Sequence, residues 1–160
     1  MAERRRRARV AEGEGLLEGT LLLFDTNVIL DVVLARDPWS DDAAALLDAS
    51  ARGDIVGLVA GHTLTTVHYL VERARDRRTA TTAVNDPLQV VTVVPLDSAD
   101  FHRAPSLGLR EFEDAVQVAA CLRAGAHFLI TRNARDFRGT SVAVRSPSEA
   151  RGLVPRNAAE

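Results

Sequence analysis

Asp25, Thr26 and Asn27 stand inside an otherwise apolar run, Leu21–Asp31, which reads LLLFDTNVILD. A carboxylate beside a buried stretch costs free energy unless a cation, a proton or hydrogen-bond donors compensate it. Two further segments carry acids. One is EFEDAVQVAA, with Glu111, Glu113 and Asp114; the other is TRNARDF, with Asn133 and Asp136. Carboxylates brought close together repel unless they share a proton or a cation. Oxygen-rich sets of Asp, Glu and Asn suit hard cations such as Mg²⁺ or Mn²⁺. Such ions polarise phosphoryl groups and generate hydroxide from bound water. Taken singly, each acid has a plainer role. Asp25 could cap a helix, Glu111, Glu113 and Asp114 could answer a helix dipole, and Asp136 could belong to a turn.

The elements that must position these residues follow from patterning. Leu21–Phe24 reads as a buried strand, with Asp25 at its end. Thr26 or Asn27 then caps a helix from Val28 to about Ala35, broken by Pro38. Ser40, Asp41 and Asp42 start a second helix that stops at Gly53. Ile55–Ala60 is a strand, and Leu64, Val67, Leu70, Val71 and Ala74 recur at helical spacing over about Thr63–Arg78. A helix over Ala80–Asp86, a strand over Val90–Val94 and a short helix from Asp97 or Ser98 to about Ala104 come next. Glu111–Ala124 is a helix closed by Gly125. His127–Thr131 is a strand, Asn133–Phe137 a short turn or helix, and Val142–Val144 a fifth strand. Apolar strands alternating with helices predict an α/β fold: a parallel sheet of about five strands, covered by helices on both faces. In such sheets ligands bind beyond the carboxyl ends of the strands. Asp25, Glu113, Asp114, Asn133 and Asp136 all fall at that edge.

Composition narrows the chemistry. The 160 residues suggest one domain, expected over 20–150, preceded by a disordered basic lead (1–19) and followed by a flexible tail (151–160). The lead, MAERRRRARVAEGEG, has no apolar core, so a secretory signal is not expected. No run is long enough to span a membrane, and the single cysteine, Cys121, precludes an internal disulfide; both fit a cytoplasmic protein. All 20 basic side chains are Arg. The absence of Lys excludes a phosphate-loop Lys, a Schiff base and a Ser-Lys dyad. It also counts against a phosphatase with a strand-end Asp nucleophile. That chemistry further requires a second acid two residues on, where Asn27 stands. His62 and His68 are six apart, off the i, i+4 spacing of a helical zinc pair. Trp39 reads as a packing lid or part of a partner contact. With a net charge of -2, nucleic acid has to be held by local patches. Arg132, Arg135 and Arg138 flank the acids, and Arg73, Arg75, Arg77 and Arg78 form a second basic stretch. With aromatics at 4%, base stacking is not expected to dominate recognition.

FDTNVILD, FEDAVQVAA and LITRNARDF, in this order and spacing, resemble the PIN domain, from about Leu21 to Glu149. The resemblance implies a three-layer α/β/α, Rossmann-like sandwich and a metal-dependent endoribonuclease. It further implies Mg²⁺ or Mn²⁺ as cofactor and RNA as substrate. Many relatives are toxins of VapBC-type toxin–antitoxin pairs, which implies a small antitoxin partner and a homodimer. The helices over Val28–Leu34 and Thr63–Arg78 offer apolar surfaces for both. Carried over by position, Asp25, Asp114 and Asp136 are metal ligands, with Glu113 a further catalytic acid. Thr26, Asn27, Thr66, Thr131 and Asn133 are supporting residues, and Arg132, Arg135 and Arg138 bind RNA. Two positions depart from the family pattern. Thr66 stands at the position of the usual Glu after the second strand, and Asn133 at that of the Asp after Thr-Arg. These neutral side chains leave a second expectation open: a catalytically weakened PIN-like module that binds RNA or protein.

Overall fold

A computed structural model describes residues 19–155. The expected lead lies almost wholly outside the described residues. Five parallel strands form one sheet: β1 (Thr20–Phe24), β2 (Ile55–Ala60), β3 (Val91–Val94), β4 (Phe128–Ile130) and β5 (Val144–Arg145). Their order is β3-β2-β1-β4-β5. The chain therefore winds outward from β1 to one edge and returns to β4 on its other side, in register Leu22–Phe128, Leu23–Leu129 and Phe24–Ile130. The point where the winding reverses lies between β1 and β4, where open α/β sheets place their ligands.

Alternation along β1 feeds two cores. Leu22 and Phe24 face one cluster with Val28, Ile29, Leu46, Val67 and Val71. Leu23 faces the other, with Leu58, Val118, Cys121, Leu129 and Phe137. The first cluster is covered by α1 (Thr26–Val33), α2 (Ser40–Arg52), α3 (Gly61–Ala74), α4 (Arg77–Leu88) and α7 (Pro147–Leu153); the second lies beneath α6 (Phe112–Ala124). The short α5 (Ser98–Arg103) is tied to α6 by Arg123, which meets Asp97 at 2.5 Å and Asp100 at 2.6 Å. The expected α/β/α sandwich on a five-stranded parallel sheet is the observed fold. Cys121 is buried, as a packing residue is. No helix among the described residues is long and apolar enough to cross a membrane.

Several boundaries differ from the pattern reading. Helix α1 starts at Thr26 and is capped by Asp25, not by Thr26 or Asn27: the Asp25 side chain accepts from the Thr26 N–H. The helix expected over Thr63–Arg78 ends at Ala74. Asp76 accepts from the Thr79 N–H and opens α4, so Arg77 and Arg78 belong to a new helix. A local side-chain cap competes with continuing the helix and here wins, because beyond Ala74 the run RDRR offers no apolar residue to hold a longer one on the core. The fifth strand is Val144–Arg145 rather than Val142–Val144. The last helix runs to Leu153, past the boundary expected at 150.

Candidate functional site

Asp25 leaves the end of β1 with only 4% of its surface exposed. Its Oδ1 accepts the Thr26 N–H at 2.7 Å. Its Oδ2 accepts the Asn27 amide at 3.0 Å and the Thr131 hydroxyl at 2.8 Å. Thr131, fully buried just beyond β4, thus crosses the point of reversal to hold the carboxylate. The Thr131 hydroxyl in turn accepts from the Asn27 amide at 3.2 Å and the Asn133 N–H at 3.1 Å. Every donor to Asp25 is neutral. Burial, aided by the nearby Glu113 charge, outweighs them and pushes its pKa up to about 6.

Helix α6 brings two acids to the same edge. Asp114 rises to about 7, first through burial, then through repulsion from Asp25, Glu113 and Asp136. That mutual repulsion places all four carboxylates in one electrostatic neighbourhood. Glu113 goes the other way. Burial pushes it up, but hydrogen bonds from His62, Gln117 and Thr26 hold it below the usual carboxylate range. Its Oε1 lies 3.0 Å from His62 Nε2 and accepts from Thr26 Oγ1 and Gln117 Nε2, both at 3.1 Å. Gln117 is fully buried and also donates to Thr63 at 3.0 Å. Asp136 lies in the 3₁₀ turn Ala134–Phe137, pinned to the sheet by buried Phe137.

The sequence candidates therefore divide. Asp25, Thr26, Asn27, Glu113, Asp114, Thr131 and Asp136 come together, and Asn133 enters through its backbone. Thr66 does not join them: its hydroxyl donates to the carbonyl of His62 in its own helix, at 3.1 Å. In the first turn of α3 after β2, His62 meets Glu113, and Thr63 meets Thr26 and Gln117, which bond Glu113 in turn. His62, Thr63 and Gln117 escape the pattern reading. Gln117, a polar residue in the apolar run AVQVAAC and four residues after Glu113, was the available signal. Arg132 is drawn inward, 3.4 Å from buried Asp31 and stacked at 4.2 Å on the Trp39 ring. Arg135 and Arg138 are exposed.

No group of three or more His, Cys, Asp or Glu among the described residues stands close enough to hold a metal ion unaided. The expected trio of Asp25, Asp114 and Asp136 is thus not preassembled as a closed cage. The donor chemistry still suits Mg²⁺ or Mn²⁺. Mg²⁺ is commonly bound by one or two carboxylates, with waters and substrate phosphates completing its shell. Charging Asp25 and Asp114 is costly, and no arginine among the described residues pairs with either, which is the electrostatic deficit that a divalent cation offsets.

A parallel sheet with this winding and carboxylates at its point of reversal is the layout of an open α/β domain with its ligand site at the switch point. The sequence matches the family model described as PIN domain over residues 21–135, most of the chain, and the chain belongs to the PIN domain family. Among solved structures it is similar to VapBC2 from Rickettsia felis bound to a promoter DNA fragment. The two share 12% identity at a TM-score of 0.65, over 79% of this chain and 98% of that one. It is similar to VapBC-1 from nontypeable Haemophilus influenzae, at 15% identity and a TM-score of 0.62, over 81% and 99% of the two chains. It is also similar to VapC20 from Mycobacterium tuberculosis, described as a toxin that cleaves the sarcin–ricin loop. There the identity is 22% and the TM-score 0.56, over 68% and 86%. At these identities the likeness is one of fold. No curated protein matches the chain in sequence.

Proposed function

We propose that the chain is a divalent-metal-dependent endoribonuclease and the toxin of a toxin–antitoxin pair. The observation that carries the reading is the pair Asp25 and Asp114, raised to about 6 and about 7 at the point of sheet reversal. Membership of the PIN domain family supports it, as do structural neighbours described as toxin–antitoxin complexes. Those neighbours also motivate the expectation of a small antitoxin, while a homodimer rests on the family resemblance alone.

In this reading Asp25 and Asp114 would hold Mg²⁺ or Mn²⁺, with Asp136 at the edge of the site. Bound there, the ion would supply Lewis acidity toward a phosphodiester and its attacking water. Thr131, Asn27 and the Thr26 N–H fix the Asp25 carboxylate so that its oxygens need no reorientation when the substrate arrives. Glu113, kept charged by His62, Gln117 and Thr26, stands beside Asp114 and is placed to accept a proton from the attacking water. Arg135 and Arg138 meet the phosphates that flank the scissile bond.

Asp25→Asn and Asp114→Asn should each reduce Mn²⁺-dependent cleavage of an RNA panel at least a hundred-fold, roughly the scale of losing a group that acts in the transition state. Undiminished cleavage by both variants would remove the proposal. The second reading, a weakened module, draws on Asn133 and on the lack of a three-acid cluster among the described residues. Calorimetric titration with Mn²⁺ separates the two readings, because a module without catalysis needs no divalent-ion affinity at millimolar concentration.

A further inference from the structure

Trp39 is the chain's single tryptophan, and 43% of it is exposed. It stands at the N-cap of α2 and makes no side-chain capping bond, so helix formation does not call for an indole there. Lone exposed apolar residues are ordinary. This one is distinguished by what lies against it. The Arg132 guanidinium stacks on the ring, 4.2 Å from its centroid. Arg132 directly follows Thr131, the residue that donates to Asp25. Its own N–H points to Asn27 Oδ1 at 3.4 Å.

The Arg132 charge is already committed. Its Nη1 lies 3.4 Å from Oδ1 of Asp31, which is fully buried, and Arg36 approaches the same oxygen at 3.9 Å. Neither oxygen of Asp31 has a hydrogen-bond partner among the described residues. A buried charge needs an opposite charge beside it, and these two arginines are what Asp31 has, so Arg132 is held in place by the cost of leaving that carboxylate unpaired. Arg132 is thus held between Asp31 and the ring, a charged guanidinium that is turned inward from solvent, which suits it poorly for gripping a phosphate and well for holding an aromatic ring flat. Phe112, 56% exposed, opens α6 immediately before Glu113 and Asp114. Phe112 stands on α6, which carries Glu113 and Asp114, and Trp39 lies against Arg132, the residue after Thr131. Exposed Arg135 and Arg138 lie in the same segment as Arg132, and neither enters an ion pair with a described residue. A cation-backed ring amid arginines favours a polyanion with π faces over an apolar peptide.

We propose that Trp39, braced by Arg132 and Asp31, is the stacking surface for an unpaired base of the RNA strand held at this site. The inference rests on the ribonuclease reading and adds a preference to it. An aromatic face accepts any base but requires that base to be unstacked, so the site selects unpaired over duplex RNA.

Because Trp39 is the sole tryptophan, its emission reports the event directly. The full-length protein is titrated with a short oligouridylate, Ca²⁺ replacing Mg²⁺ to suppress cleavage. A parallel titration uses an abasic oligomer of equal length, which keeps the phosphates. The expected result is a saturable change in emission with oligouridylate and none with the abasic strand. Trp39→Ala should weaken binding of labelled oligouridylate roughly ten-fold or more, the scale of one lost base stack, with Trp39→Phe restoring most of it. Should Trp39→Ala unfold, as circular dichroism would reveal, the wild-type comparison of the two strands decides alone. Oligouridylate binding that leaves both the emission and the Trp39→Ala affinity unchanged overturns the stacking role while sparing the nuclease, and points to a protein contact at Trp39. Failure of the wild type to bind either strand overturns both.

Discussion

Asp25 accepts three hydrogen bonds from neutral donors and pairs with no arginine among the described residues. Its charged form is therefore held only by dipoles, and each dipole matters. Thr131→Val removes the hydroxyl at 2.8 Å with almost no change in shape. Near pH 8, with Asp25 charged, the loss should be about 1.5–3 kcal/mol of stability, the range for a hydrogen bond to an ionised group. Near pH 5, below the pKa of about 6, Asp25 is largely protonated and the penalty should shrink. Urea unfolding at the two pH values measures this; an equal loss at both would mean that the hydroxyl acts through the Asn27 and Asn133 donors it accepts from and not through the Asp25 charge. Asp25 and Asp114 were legible in the sequence because carboxylates at strand ends and helix starts have few other reasons to converge. His62, Thr63 and Gln117 were not. Their role depends on which turn of α3 faces α6, and hydrophobic spacing fixes the core face of a helix rather than its rim.

At the scale of elements, β2 passes unusually close to its neighbours. A Cβ on Gly57 would stand 2.8 Å from both the Phe24 ring and Ser50 Oγ. Ser50 accepts the Gly57 N–H at 3.0 Å and packs α2 onto the sheet through that contact. Gly57→Ala must displace Phe24, whose neighbour along the chain is Asp25. The expected cost is about 1–3 kcal/mol, as for overpacking elsewhere, read as a lower denaturation midpoint with unchanged slope. No loss would mean that Phe24 has room to move. Strands and their order could be foreseen because apolar runs and helical spacing are strong local signals. The break between α3 and α4 could not, since it turns on one cap, Asp76, that the run RARDRR conceals among charges. At the start of α1 the pattern left Asp25, Thr26 and Asn27 all open as caps, because each can accept from a first-turn N–H; the geometry selects Asp25.

For the whole molecule, the site sets how stability varies with pH. Asp25 and Asp114 both have folded-state pKa values raised above the ordinary 3.8, to about 6 and about 7. A carboxylate raised on folding binds more protons in the native state than in the unfolded one. Its favourable contribution is complete below the unfolded pKa and is lost as pH climbs through the folded value. Without divalent ions, the melting temperature should therefore fall between about pH 5 and pH 8. Asp76, Asp97 and Glu113, all shifted down, act in the opposite sense, but below their ordinary pKa values and so outside this window. Mg²⁺ or Mn²⁺ competes with protons for Asp25 and Asp114. Adding either ion should raise the melting temperature near pH 8 and change it little near pH 5, because binding stabilises only where the ion can displace few protons. Calorimetric scans with and without the ion at each pH make the comparison. In Asp25→Asn the ion-dependent rise near pH 8 should vanish and the fall with pH should flatten, since one of the two repelling charges is gone. A rise of equal size at both pH values, or one that survives Asp25→Asn, would place the ion elsewhere on the molecule and leave the raised carboxylates to another cation or to the substrate itself.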